Sequence, residues 1–179
     1  MFYHILSFFI SIYGDIARYA YLKYRTNPSP RILIPLILYS ISPQFLPIII
    51  YRLSHCLSSC SIPIVPSILY FLNLLLFSIE ISPKTEILPG LFIPHPSGIV
   101  LGAFRIGRNA TIFQSVTIGC KYPEFNFIQN NRPHLGDNVL VGSGAKVLGY
   151  LRVGDNVSIG ANAVVVRDVP SNSTVIGLH

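Results

Sequence analysis

The sequence predicts a parallel β-helix preceded by a short, unusually apolar helical segment, with the change of texture near Ser78. Two observations carry this. Aliphatic residues recur every six positions at Ile81, Ile87 and Ile93, then after a one-residue slip at Val100, Ile106, Ile112 and Ile118, and again at Leu135, Val141, Val147, Val153, Ile159 and Val165. Glycine often follows at once, as in Ile106-Gly107, Ile118-Gly119 and Val153-Gly154, and a sustained six-residue period is the signature of stacked β-coils. Before Ser78 the texture is different: Arg52 is the only formally charged side chain from Ile32 to Ile79. The chain of 179 residues is 51% hydrophobic and 11% charged, against a usual charged share of about a quarter. That composition excludes disorder, and the length excludes a large multidomain assembly.

Taken in order, Met1 to Tyr13 is apolar but has no basic leader and is followed by Asp15 and Arg18, unlike a signal peptide or a full membrane span. Asp15 to Tyr24 reads as an amphipathic helix ended by Thr26-Asn27-Pro28. Ile32 to Tyr51 and Leu53 to Ile79 each approach the roughly 20 residues that cross a bilayer. Pro35, Pro43, Pro47, Pro63 and Pro66 cut them into shorter pieces, and Ser54, His55, Ser58, Ser59 and Ser61 sit at the centre. The expectation is therefore short helices packed on each other and on neighbouring subunits over residues 1–78, with membrane contact through residues 32–79 as the alternative. Cys56, Cys60 and Cys120 show no metal-type pairing and suit packing roles in a reducing, cytoplasmic compartment.

Over residues 79–179 each hexad supplies a short strand and a turn, and three hexads close one triangular coil. The aliphatic residue points inward and stacks on its equivalents above and below. The stretch from Gly119 to Leu135 breaks the period and predicts a loop at 120–134, containing Lys121, Tyr122, Pro123, Asn130, Asn131, Arg132 and His134. A loop carried on a rigid scaffold is a natural place for a binding site. The formal charge of +6 favours anionic ligands without implying nucleic acid.

At these residues the chain resembles the serine acetyltransferase branch of the hexapeptide-repeat acyltransferases. The resemblance rests on Asp15-Ile16-Ala17-Arg18-Tyr19, on Tyr51-Arg52-Leu53-Ser54-His55, and on Glu80-Ile81-Ser82-Pro83. It continues through His95-Pro96-Ser97-Gly98-Ile99-Val100, Gln114-Ser115-Val116-Thr117-Ile118-Gly119, Gly142 to Gly149 and Asp168-Val169-Pro170. It implies a left-handed β-helix after an N-terminal helical domain, assembled as a homotrimer or a dimer of trimers. It also implies transfer of an acetyl group from acetyl-CoA to a hydroxyl through a direct ternary complex, without a metal.

An alcohol needs a base to take its proton as it attacks a thioester, and histidine has the right pKa. His95 matches the family's catalytic histidine, and Glu80 falls where the family has the aspartate that orients it. The 15-residue separation is a little under one coil and places the two on nearby turns. His55 reads instead as a hydrogen-bonded helix histidine. For CoA the matching small residues are Gly119, Ser143 and Ala161, with Lys146 and Arg167 as phosphate partners. On the acceptor side, two family aspartates read Pro94 and, approximately, Asn27, and the family's Arg-His-Pro loop reads Asn131-Arg132-Pro133-His134, leaving Arg132 or His134 to hold a carboxylate. L-serine is the leading acceptor, a step in cysteine biosynthesis. A sugar hydroxyl on a polysaccharide or envelope precursor is the second reading, and an inactive solenoid scaffold the third. A metallohydrolase solenoid is disfavoured, since only His95 and His134 lie within the repeats.

Overall fold

The computed structural model describes residues 2–25, 42–124 and 126–179. Among these are three helices, α1 (Phe2–Tyr24), α2 (Leu46–Ser59) and α3 (Val65–Phe77). Thirteen short strands follow, numbered along the chain, and all their pairings are parallel. The chain visits three sheets in turn. Face 1 holds β1 (Ile79–Ile81), β3 (Ile99–Leu101), β6 (Thr117–Gly119), β9 (Lys146–Leu148) and β12 (Val164–Val165). Face 2 holds β2 (Glu86–Ile87), β4 (Arg105–Ile106), β7 (His134–Leu135) and β10 (Arg152–Val153). Face 3 holds β5 (Thr111–Ile112), β8 (Leu140–Val141), β11 (Ser158–Ile159) and β13 (Thr174–Val175).

The core is three vertical stacks, one behind each face. Ile81, Leu101, Ile118, Val147 and Val165 form the first, Ile87, Ile106, Leu135, Val153 and Val169 the second, and Ile93, Ile112, Val141, Ile159 and Val175 the third. All are at most 4% exposed, so the hydrophobic term is collected along the whole axis. One expectation fails here. Val100 does not point inward; its neighbours Ile99 and Leu101 do. The single slip in the period is two irregularities that nearly cancel. Ile93 to Leu101 spans eight positions and Leu101 to Ile106 five, and the first of these pushes two additional residues out of the coil.

The corner between faces 2 and 3 is built from Asn109, Asn138, Asn156 and Asn172, with φ between 57° and 61°. Asparagine tolerates this left-handed conformation, and each of the first three donates its amide to the next at 3.0–3.1 Å. The loop between β6 and β7 leaves at the corner between faces 1 and 2 and includes a short 3₁₀ turn at Gln129–Asn131. The expected loop boundary shifts slightly, because His134 already lies in β7.

The first helix is longer than expected, starting at Phe2 rather than near Asp15. Both α2 and α3 carry a proline in their first turn, Pro47 and Pro66, where the missing N–H has no helical acceptor to lose. Among the described residues no helix is long and apolar enough to cross a membrane. Exposed apolar side chains remain on α1 and α3, including Phe2, Phe9, Ile68, Phe71, Leu75 and Leu76.

The helices are fastened to the first coil by one buried pair. Arg52 on α2 grips Asp15 on α1 through Nε–Oδ2 at 2.9 Å and Nη2–Oδ1 at 3.0 Å. The guanidinium also donates to the carbonyls of Ile87 and Leu88, while the amides of Gly90 and Leu91 donate to Asp15 Oδ1 at 2.8 Å. On the same helix Tyr51 donates its hydroxyl to Thr85 O at 2.7 Å and His55 donates Nδ1–H to Pro83 O at 2.8 Å. Gly14 lets α1 approach this coil, since a Cβ there would lie 2.5 Å from Pro89 Cβ.

Asp15→Asn leaves Arg52 without its charge partner, and breaking one side of a buried pair costs about 3–5 kcal/mol. Urea unfolding should read that loss, against a change within about 0.5 kcal/mol for the exposed Arg167→Gln. Burial holds His55 below its ordinary pKa of 6.5, with the nearby Arg52 charge adding to the effect and the Pro83 bond opposing it. The unfolded chain therefore takes up a proton near pH 6.5 that the folded chain resists, so stability falls as pH is lowered from there. His55→Asn, which keeps a donor toward Pro83, should flatten that acid slope relative to the wild type in unfolding curves at pH 7 and pH 5.5.

Candidate active site

The two residues pushed out between Ile93 and Leu101 are Pro94 and His95. Corresponding positions on the corner between faces 3 and 1 are identified by their left-handed backbone: Gly98 (φ 63°), Ser115 (60°), Gly144 (72°) and Asn162 (57°). They are also linked coil to coil, Ser115 N to Ser97 O at 2.9 Å, Gly144 N to Gln114 O at 2.9 Å and Asn162 N to Ser143 O at 2.8 Å. From the inward residue to this corner is five positions in the first coil and three in the others. His95 thus stands exposed on a protrusion at the base of an edge whose later coils present Ser143 and Ala161. The structure brings these three expected residues onto one edge.

Glu80 faces outward from β1, and its column on face 1 continues through Val100, Thr117, Lys146 and Val164. Its Oε2 accepts the Tyr70 hydroxyl at 2.7 Å, and burial together with this carboxylate pushes the phenol up to about 12. No hydrogen bond joins Glu80 to His95. Lys146 bends toward the His95 edge and donates Nζ to Ser115 O at 2.6 Å.

The remaining expected residues border face 1 on its other side. Gly119 is buried at the end of β6, and Arg167 is exposed just beyond β12. Arg132 is the strut of the loop: it donates Nη1 to Gly102 O at 2.6 Å, pairs through Nη2 with Glu124, and lies 4.0 Å over the Phe127 ring centroid. Glu124 also accepts Asn131 Nδ2 at 3.1 Å and the Ile128 amide at 3.4 Å. Burial would raise the Glu124 carboxyl, but these bonds and the Arg132 charge hold it below the usual range. Gly102 makes room for this arrangement, because a Cβ there would sit 2.7 Å from Arg132 Nη1.

His134 lies on face 2, with its ring 4.5 Å from the Phe104 centroid and 6.3 Å from that of Tyr150. Burial, then the charges of Arg152 and Arg105, lower its pKa. Asn27 lies outside the described residues. Sequence reasoning missed Tyr70, Glu124 and Gly102. The one available signal was Glu124 itself, the sole acid between Gly119 and Leu135 and eight residues from Arg132. Among the described residues no three His, Cys, Asp or Glu side chains cluster as a metal site needs.

Residues 132–167 match the family described as bacterial transferase hexapeptide (six repeats). A serine acetyltransferase of Synechococcus elongatus is 41% identical over 137 residues, 76% of this chain and 55% of the relative. One from Helicobacter pylori is 44% identical over 128 residues, 71% of this chain and 73% of the relative. The chain therefore spans about half the length of the first of these relatives. Among solved structures, the Neisseria gonorrhoeae serine acetyltransferase in complex with serine superposes with a TM-score of 0.77 at 28% identity, covering 95% of this chain and 66% of that one. A serine acetyltransferase complex with CoA gives 0.77 at 27% identity, covering 94% and 66%. The β-helix is left-handed, as in these neighbours. With the helices docked on the first coil and a relative 44% identical of which this chain covers 73%, the chain belongs to the serine acetyltransferase family.

Proposed function

We propose that the chain is an acetyl-CoA-dependent O-acetyltransferase whose acceptor is L-serine, giving O-acetyl-L-serine for cysteine biosynthesis. The observation that carries the reading is the two-residue protrusion that sets His95 on the edge shared with Ser143 and Ala161. An imidazole held clear of the core and free of internal hydrogen bonds is available to a substrate hydroxyl. It accepts the hydroxyl proton as the oxygen attacks the thioester carbonyl, and returns it to the departing thiolate as the C–S bond breaks. Atoms and charge balance without a covalent enzyme intermediate.

Glu80 is the proposed orienting carboxylate. Tyr70 occupies Oε2 and leaves Oε1 for the imidazolium that forms during transfer. CoA is assigned to the groove along the His95 edge, past Ser143 and Ala161, closed by a neighbouring solenoid of a homotrimer. Lys146, which bends toward this edge, is the proposed phosphate partner there. On the other side of face 1 Gly119 leaves open space where a Cβ would meet only Gly102 O at 4.0 Å, and Arg167 on that side is the second proposed phosphate partner. The exposed apolar faces of α1 and α3 are assigned to subunit packing, which makes a dimer of trimers the assembly this reading favours.

One observation favours a sugar hydroxyl as the second reading. Arg132 already spends Nη1 on Gly102 O and Nη2 on Glu124, with its buried Nε left without a partner, and Pro94 offers no carboxylate to an ammonium group, so a zwitterion finds fewer partners here than its two charges need. His134 is then the remaining candidate for a serine carboxylate.

CoA release with purified full-length chain, L-serine and a panel of sugars separates the two. Serine-dependent turnover is expected, and turnover on a sugar alone would replace serine as the acceptor. His95→Ala should lower kcat by about 10²–10⁴ while leaving the unfolding midpoint unchanged, because the ring is exposed and makes no internal hydrogen bond. Unaltered kcat in that variant would remove His95 from the chemistry, whereas no turnover of any acceptor by the wild type would favour the scaffold.

A further inference from the structure

Face 2 has a charge pattern that the fold does not use and from which the proposed chemistry draws only His134, as a candidate for the serine carboxylate. Its outward column runs Glu86, Arg105, His134, Arg152, in direct register from coil to coil. Adjacent strands are roughly 4.8 Å apart, so three basic side chains follow one another within two coil spacings. Residues opposite each other on neighbouring strands stabilise a sheet when their charges alternate. Here only the first step does: Glu86 Oε2 lies 3.7 Å from Arg105 Nε, both about half exposed. Arg152 has no carboxylate within ion-pair distance among the described residues. Asp168 spends Oδ1 on the Arg152 backbone amide at 2.8 Å.

The imidazole between the two arginines is held in place rather than left to rotate. Phe104 packs on one side and Tyr150 meets it edge-on, both beside the same column. Below the strip, a groove of about 560 Å³ between the helices and the first coils shares Glu86 and Phe104 with it and adds Lys84 and Arg108 to its lining. Lys84, Arg105, Arg108 and Arg152 stand against Glu86, Asp168 and Asp137, which leaves a positive balance centred on the Arg105–Arg152 column, and guanidinium forks match phosphate oxygens in geometry as well as charge.

We propose that Arg105, His134 and Arg152 form a phosphate-binding strip on face 2, taking a phosphomonoester or diphosphate group. The anion seats between the two guanidiniums and accepts a hydrogen bond from the imidazole, with Tyr150, more than half exposed, beside it as a shelf for the group that carries the phosphate. Arg152 on β10 and Arg105 on β4 are the charges that act on His134; the acids nearby are engaged with those strands, Glu86 on β2 with Arg105 and Asp168 beyond β12 with the Arg152 amide. The two arginines disfavour its protonation in the free protein. A bound phosphate reverses that, so binding and protonation of His134 promote each other.

Inorganic pyrophosphate titrated into the full-length protein, with the His134 ring followed by NMR over pH, reads this directly. The His134 titration should move to higher pH when pyrophosphate is present, and affinity should rise as pH falls. Arg105→Gln with Arg152→Gln should weaken pyrophosphate binding about tenfold or more and abolish the shift. No shift in the wild type, or an equal shift in the double variant, overturns the strip. Both side chains are solvent-facing, so an unchanged unfolding midpoint keeps the comparison valid, and the readout needs no turnover. Comparing KM for acetyl-CoA and dephospho-acetyl-CoA in the double variant identifies the source. A rise for acetyl-CoA alone places the cosubstrate's 3′-phosphate on the strip, and no rise for either assigns it to a different phosphorylated ligand.

Discussion

Asp15 and Arg52 are each at most 3% exposed, and neither charge could be held there alone, since taking an ion out of water costs several kcal/mol after relaxation. The pair persists because six hydrogen bonds hold it: two forked contacts between the side chains, two amides from Gly90 and Leu91 onto the carboxylate, and two carbonyls from Ile87 and Leu88 onto the guanidinium. Three separate pieces of chain must be in place at once for this to happen. The position of α1, the position of α2 and the path of the first coil are therefore determined together. Everything above that coil inherits its placement through the parallel ladder.

That constraint also changes the meaning of the Tyr51-Arg52-x-x-His55 run. All three polar side chains point at backbone carbonyls of the first coil, Thr85, Ile87 and Pro83 among them. The spacing of three and four residues puts them on one face of α2, and that face is a docking surface. The proposed chemistry is placed elsewhere, on edges of the prism where the repeat is interrupted. One interruption protrudes His95, and the other opens the loop that Glu124 and Arg132 brace. The regular coils hold these two irregular features at fixed separation, as a rigid scaffold should.

Much of this was legible in the residues. A six-residue period with aliphatic and glycine pairs is a direct record of inward stacks and corners, so faces, stacks and the loop could be read before any coordinates. Val100 shows the limit. In a strand with three consecutive aliphatic residues, Ile99-Val100-Leu101, periodicity cannot tell the inward from the outward position, and two irregularities of opposite sign looked like one slip. Arg132 shows a second limit: its partner Glu124 and its acceptor Gly102 O lie 8 and 30 residues away, and no local pattern encodes a contact made by a folded loop. Glu80 is read from the position of the family's aspartate, with its spacing to His95 in support, yet its engagement by Tyr70 depends on how α3 ends against β1. The helical segment was legible as one amphipathic helix and apolar pieces divided by prolines but not in its docking, because the pairing of Asp15 with Arg52 across 37 residues is a tertiary fact.

The central claim is a division of labour, with α2 docking the helices and the solenoid edge performing the chemistry. It is tested most directly by measuring, in the same preparations, the unfolding free energy and the kcat per folded molecule of Arg52→Met. The account predicts a large loss of stability with kcat for the folded fraction within about twofold of wild type, since each 1.36 kcal/mol of lost transition-state binding would cost about tenfold. A kcat lowered a hundredfold or more in protein whose stability is unchanged would contradict it and move the chemistry to the helical segment.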